Sequence, residues 1–225
     1  MTGQTVAAAD PYWNRYYNAE FEFGMGTEDV LAALSELPPV RRWCDLGAGS
    51  ESLLWSIPLT ADHLIAIDVD PDRLAILSRY AAQGQPRPAY TTVLRMCHRT
   101  AEDFTRRCRS LAGTLVADCL DGPSLALTPG STDLITQFGL LGLAETPEHF
   151  LDAWRRAHVP LAPGGWCAGA NWAPEPSRQA GRVTLTQGLY RRAFADAGIH
   201  PHLLHRVASV DPQFPSLWLY TGRKQ

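Results

Sequence analysis

Two acids and two glycines carry the most legible chemistry in this chain. Asp45 closes the apolar run of RRWCDLGAGS, Gly47 and Gly49 follow it, and about twenty residues on a second run, HLIAIDVD, closes on Asp68 and Asp70. An apolar run ending in an acid, then glycines, then a second such run is the pattern of a nucleotide-binding βαβ unit. Glycine lacks a Cβ, so Gly47 and Gly49 let the backbone turn sharply after the first strand and approach a ligand. Asp68, ending the second strand, is placed to accept hydrogen bonds from both ribose hydroxyls.

The nucleotide is narrowed by what is missing. After Gly49 the chain reads Ser50, Glu51, Ser52 and Leu53, so the third glycine of a dinucleotide fingerprint is absent. Glu51, at the opening of the next helix, suits the helix dipole but repels a phosphate. A cofactor bearing an amino group and a sulfonium meets acids favourably, which points to S-adenosylmethionine, with S-adenosylhomocysteine as its product. Asp45 then orients the cofactor's amino group or shapes the glycine loop that Ala48 completes. Val69, Asp70 and Arg73 follow Asp68 into the same region, although Asp70-Pro71 also reads as an ordinary helix start.

CDLGAGS, AIDVD and the later LAPGGW resemble the class I S-adenosylmethionine-dependent methyltransferases. The segment DPYWNRYYNAEFEFG, with its Y-x-x-x-Y-Y spacing, is similar to the small-molecule methyltransferases of the nicotinamide, phenylethanolamine and indolethylamine N-methyltransferase group. The resemblance implies an α/β, Rossmann-like fold: a seven-stranded, mostly parallel sheet with helices on both faces and an N-terminal helical lid. It places Tyr12, Tyr16 and Tyr17 at the cofactor, and offers Asp118 to the adenine amino group with Ala117 and Cys119 flanking the ring. A solvated strand end is the other reading of Asp118. The end of the fourth strand, Gln137, Phe138 and Gly139, is where methyl group and acceptor meet in this fold, with Gln137 assigned to the cofactor and Phe138 to the reacting centre. The amine methyltransferases tend to hold an acid after the fifth strand, where this chain has Asn171. An amide there suits a hydroxyl, carboxamide or neutral nitrogen rather than a cation. Trp13, Trp166 and Trp172 are candidates for an apolar acceptor pocket. His149 is the favoured general base among His98, His149, Glu145 and Asp121, each of which also reads as a surface residue.

These residues need a single Rossmann-like core over 40–225, behind a lid and helices over 1–37. A chain of 225 residues that is 45% hydrophobic can bury one sizeable core. Strands are expected at 41–46, 64–68, 114–118, 132–138 and 166–171, and a closing antiparallel pair at 202–209 and 216–222. Helices are expected from Tyr12 to Phe23 with an aromatic face, from Thr27 as cap to Leu37, from Pro71 to Ala82 and from Pro147 to Val159, the last followed by a Pro163-Gly164-Gly165 turn. The regions 122–130 and 173–182 read as loops.

A formal net charge of −3 lacks the basic footprint of a nucleic-acid methylase. Five separated cysteines without a CxxC pair read as reduced thiols of a cytoplasmic protein and not as a metal site. No signal peptide or long apolar run points to secretion or a membrane. The expectation is a monomeric or homodimeric enzyme of specialised metabolism that methylates nitrogen or oxygen of a small molecule. Two rivals keep the cofactor: a cyclase or pericyclase that does not consume it, and a non-catalytic sensor without a pocket beside Phe138 and Asn171.

Overall fold

A computed structural model of the chain describes residues 20–122 and 127–225. Tyr12, Trp13, Tyr16 and Tyr17 lie outside the described residues, and Phe21 to Phe23, the expected end of their helix, is non-helical. The elements run α1 (Thr27–Ser35), β1 (Val40–Leu46), α2 (Ser52–Ser56), β2 (Ala61–Asp68), α3 (Pro71–Gln83), α4 (Pro88–Met96), α5 (Ala101–Ser110), β3 (Leu111–Val116), β4 (Thr132–Phe138), α6 (Pro147–Ala157), β5 (Leu161–Ala173), α7 (Gln187–Asp196), β6 (Ile199–Ala208) and β7 (Ser216–Lys224).

The seven strands lie in the order β3-β2-β1-β4-β5-β7-β6, with β7 antiparallel to both neighbours and the remaining pairs parallel. The strand order reverses between β1 and β4, which opens a crevice at their carboxyl ends, the usual ligand position in an open α/β sheet. Alternate residues of β1 feed opposite faces. Trp43 packs with Leu64, Tyr80, Tyr90 and Phe104 on one side, whereas Cys44 and Leu46 join Phe150, Trp154, Phe194 and Tyr220 on the other. At the amino end of the pair, Asp133 accepts hydrogen bonds from the Arg42 backbone and guanidinium, which pins β4 to β1.

Helix punctuation follows local chemistry. Asp70 caps α3, accepting from the amides of Asp72 and Arg73, and Gly84 ends it in the left-handed region. Thr100 and Asp103 form a capping box on α5, and Thr146 and Thr186 cap α6 and α7. Thr27 is not a cap. Gly26, with φ of 81°, occupies that position without a side-chain bond, and α1 stops at Ser35 instead of Leu37.

Other boundaries move as well. β3 lies three residues upstream of the expected start, because its parallel register on β2 ends at Val116, leaving Asp118 in the following loop. β5 begins at Leu161 and absorbs Pro163-Gly164-Gly165 as an irregularity in its pairing with β4, so the expected turn lies inside the strand. Helix α7 fills a stretch with no expected element, and α5 is anchored mainly by buried Phe104 and Cys108, a stripe too thin to stand out in sequence.

One buried polar chain ties β1, β4 and α2 together. Trp43 Nε1 donates to Thr136 Oγ1 (2.7 Å), Thr136 Oγ1 donates to Asp45 Oδ1 (2.6 Å), and Ser52 Oγ donates to Asp45 Oδ2 (2.5 Å). Burial, reinforced by the charge of Asp68, pushes the Asp45 carboxyl up to about 7 against the pull of the two hydroxyls. A raised carboxyl pKa stabilises the fold where the group is protonated, and that contribution is lost as pH rises from about 4 through about 7. Asp45→Asn mimics the protonated form at every pH. Urea titrations should therefore show wild-type stability falling relative to Asp45→Asn by roughly 2–4 kcal/mol between pH 4 and pH 8. A difference that does not change with pH would place Asp45 at an ordinary carboxylate value.

Candidate functional site

The crevice between β1 and β4 is a cavity of about 720 Å³. Its first half is built by the loops after β1, β2 and β3. Gly47 (φ 62°) and Gly49 (φ 53°) adopt left-handed backbone, which glycine takes without the strain a Cβ would bring. Asp68 borders the cavity and holds the loop: its Oδ2 accepts from the Gly49 amide (2.8 Å) and its Oδ1 from the Asp70 amide (2.8 Å). A carboxylate has about four acceptor positions, so Asp68 keeps capacity for further donors. Glu51 also lines this half, accepting from the amide and hydroxyl of Ser50.

Asp118 faces the same space from the loop after β3. Its Oδ1 accepts from the amides of Leu120 and Asp121, each at 2.9 Å. The amide of Asp121, with those of Leu120 and Gly122 and the charge of Arg156, holds its carboxyl below the usual range. Cys119 lines the cavity too, with burial pushing its thiol up to about 12, so it presents a small apolar surface and not a thiolate. Val69 and Arg73 complete this wall, Arg73 leaning on Asp70 at 3.4 Å.

Not every expected residue reaches the cavity. Asp45 and Ala48 are buried beneath the glycine loop, where Asp45 faces Ser52 and Thr136, and Asp70 serves as the cap of α3. Gln137 turns into the core, its Oε1 accepting from the Leu141 amide (3.1 Å) and its Nε2 donating to the Tyr220 hydroxyl (2.9 Å). Asn171 is fully buried and does the same one strand over: Oδ1 accepts from the Gly142 amide and Nδ2 donates to the Tyr190 hydroxyl, both at 2.9 Å. In this arrangement both ends of each amide are taken by protein partners. Both fasten the short 3₁₀ turn Leu141–Leu143 that forms the cavity wall.

His149 lies outside the lining. Its Nδ1 accepts from the Glu145 amide, and its Nε2 is 2.8 Å from Asp121 Oδ1 without hydrogen-bond geometry. Glu145 and His98 are exposed and also absent from the lining, whereas Asp121 borders it.

The second half of the cavity is apolar. Phe138, stacked on Trp55 at 4.3 Å, continues it past the glycine loop, and Trp172 follows with its Nε1 donating to the Met25 carbonyl. Trp166 is elsewhere, against His202 and Arg223. Phe21, Leu143, Arg182, Asp211 and Phe214 also line the cavity, contributed by the segment before α1, the 3₁₀ turn after β4, the loop between β5 and α7 and the loop between β6 and β7. No spacing in the sequence signals them, because segments distant along the chain meet only in the fold. The amide of Val210 donates to the Gly24 carbonyl and that of Glu175 to the Gln213 carbonyl, which binds these loops together.

No family model and no curated protein matches the chain. Solved structures do. The N-methyltransferase NodS from Bradyrhizobium japonicum WM9, in complex with S-adenosylhomocysteine, superposes with a TM-score of 0.66 at 17% identity, covering 97% of this chain and 94% of that one. Magnesium protoporphyrin IX methyltransferase from Synechocystis PCC 6803, with S-adenosylmethionine bound, gives 0.62 at 10% identity, covering 95% and 89%. An S-adenosylmethionine-dependent methyltransferase from Mesorhizobium loti gives 0.57 at 16% identity, covering 87% and 96%. These likenesses, together with the antiparallel β7 between β5 and β6, establish that the chain has the Rossmann-like fold of the class I methyltransferases.

Proposed function

We propose that the chain is an S-adenosylmethionine-dependent methyltransferase acting on nitrogen or oxygen of a small molecule. One observation carries this reading: a single cavity joins a glycine-turned, carboxylate-rich half to an apolar half across Phe138. The first half fits the cofactor by its chemistry. Asp68 has spare acceptor capacity for ribose hydroxyls and Asp118 for an adenine amino group, and the nearby carboxylates favour a cation over a pyrophosphate.

The cofactor brings an electrophilic methyl group on a sulfonium. The protein's share is to bind, align and exclude water. Gly47 and Gly49 permit close backbone approach, Val69, Ala117 and Cys119 offer flat apolar contact, and Phe138 and Trp172 border the space for an acceptor. Asn171 and Gln137 act at one remove, by holding the Leu141–Leu143 wall. With His149 outside the cavity, no histidine is placed as base, which suits an acceptor that loses its proton to solvent. Tyr12, Tyr16 and Tyr17 remain proposed cofactor contacts from the N-terminal cover over 1–37. The single core over 40–225, a cytoplasmic location and the N-methyltransferase likeness of the tyrosine segment belong to the same reading. Among the described residues no helix is long and apolar enough to cross a membrane. The apolar half beside Phe138 favours an enzyme over a sensor, and accumulation of S-adenosylhomocysteine with a turned-over acceptor separates methyl transfer from cyclase chemistry.

Calorimetric titration with S-adenosylmethionine and S-adenosylhomocysteine tests the reading directly. Both should bind at micromolar strength, and binding of neither would remove the proposal. Asp68→Ala should weaken both by roughly 1.5–3 kcal/mol, the range for lost charge-assisted hydrogen bonds. Unchanged affinity in a folded variant would displace Asp68 from the ribose. Asn171→Ala leaves the Gly142 amide and Tyr190 hydroxyl unpaired in the core and should lower unfolding stability by about 1–3 kcal/mol. Chemical denaturation measures it. An Asn171→Ala protein as stable as wild type would refute the bracing role.

A further inference from the structure

The apolar half of the cavity contains one unmatched charge. Arg182 lines it, is partly buried, and among the described residues its guanidinium has no hydrogen bond or ion pair. The other charged groups of the lining are engaged or wet. Asp68, Asp118 and Glu51 accept from nearby amides, Arg73 rests on Asp70, and Asp121 faces His149. Asp211 accepts from the Gln213 amide at 2.7 Å within its own turn, and Glu22 is exposed to solvent.

The backbone that carries Arg182 is tied down on both sides. Its own amide donates to the Gln179 carbonyl, its carbonyl accepts from Gln179 Nε2, and the Val183 amide donates to the Ala144 carbonyl at the end of the cavity wall. A guanidinium at the edge of a cavity and without a partner among the described residues is the natural seat of a carboxylate, which it can grip with two parallel hydrogen bonds. Phe21, Phe138, Trp172 and Phe214 line the same cavity and supply aromatic walls.

We propose that the methyl acceptor is an aromatic carboxylate whose acid group is held by Arg182 while its ring lies among these side chains. This rests on the methyltransferase reading above and adds the acceptor's charge, which that reading leaves open. A cationic aralkylamine would meet Arg182 with like charge and be disfavoured.

The test uses the full chain saturated with S-adenosylhomocysteine and calorimetric titration with 3-phenylpropionate, indole-3-propionate, phenethylamine and tryptamine. At least one carboxylate should bind about tenfold or more tightly than its matching amine, and Arg182→Gln should erase that preference. Arg182→Lys should restore part of it, because the charge returns without the fork. Affinity for S-adenosylhomocysteine should be the same in all three proteins. Amines binding as well as carboxylates, an unchanged preference in Arg182→Gln, or no carboxylate binding to a protein loaded with S-adenosylhomocysteine would each overturn the proposal. Failure to bind S-adenosylhomocysteine at all would instead remove the cofactor reading, and the acceptor assignment with it.

Discussion

The cavity depends on a carboxyl group that never reaches it. Asp45 ends the central strand β1 in a dry environment, where an acid is tolerated only if its oxygens are hydrogen-bonded. The two hydroxyls that serve it come from β4, through Thr136, and from the start of α2, through Ser52. The bond to Thr136 joins the strands on either side of the topological switch, and the bond to Ser52 fixes where the glycine loop enters its helix. Trp43 extends the chain into the core by donating to Thr136. The crevice thus gets its width and its floor from one buried network, and such networks specify a unique arrangement because a half-satisfied one is costly.

A second pair of buried polar groups repeats the same logic on the acceptor side. Gln137 and Asn171 stand at the ends of adjacent strands, each accepting a backbone amide from the 3₁₀ turn and each donating to a tyrosine hydroxyl. The tyrosines are themselves packed against Phe150, Trp154 and Phe194, and burial holds both phenols well above their ordinary range, so they stay neutral acceptors. Rigid aromatic packing is thereby converted into the position of a cavity wall.

The cavity is electrically divided. Carboxylates held by backbone amides gather around the glycine loop, while the far half is largely aromatic and carries the guanidinium of Arg182 beside the amide-held carboxylate of Asp211. A bound cation and a bound anion would each find their complement at opposite ends, an arrangement that orients a ligand pair before any chemistry occurs.

The residues of one βαβ unit were enough to read the positions of β1 and β2 and the facing of Gly47, Gly49 and Asp68 onto the crevice, because strand, turn and acid all lie within a short stretch, and with LAPGGW they carried the resemblance that implied the fold class. Spacing alone could not tell a buried amide from a ligand-facing one. Asn171 was expected at the acceptor and Gln137 at the cofactor, yet their partners, Tyr190, Tyr220 and the 141–143 turn, come from elsewhere in the chain and claim both ends of each amide. Of the two readings of Asp70, the helix cap is the one its hydrogen bonds display. The acceptor end was illegible for the same reason. Phe21, Arg182, Asp211 and Phe214 belong to irregular segments with no periodic pattern, and only the pairing of β5, β7 and β6 brings those segments over one cavity. Local backbone chemistry determined the cofactor half, and long-range packing decided the other.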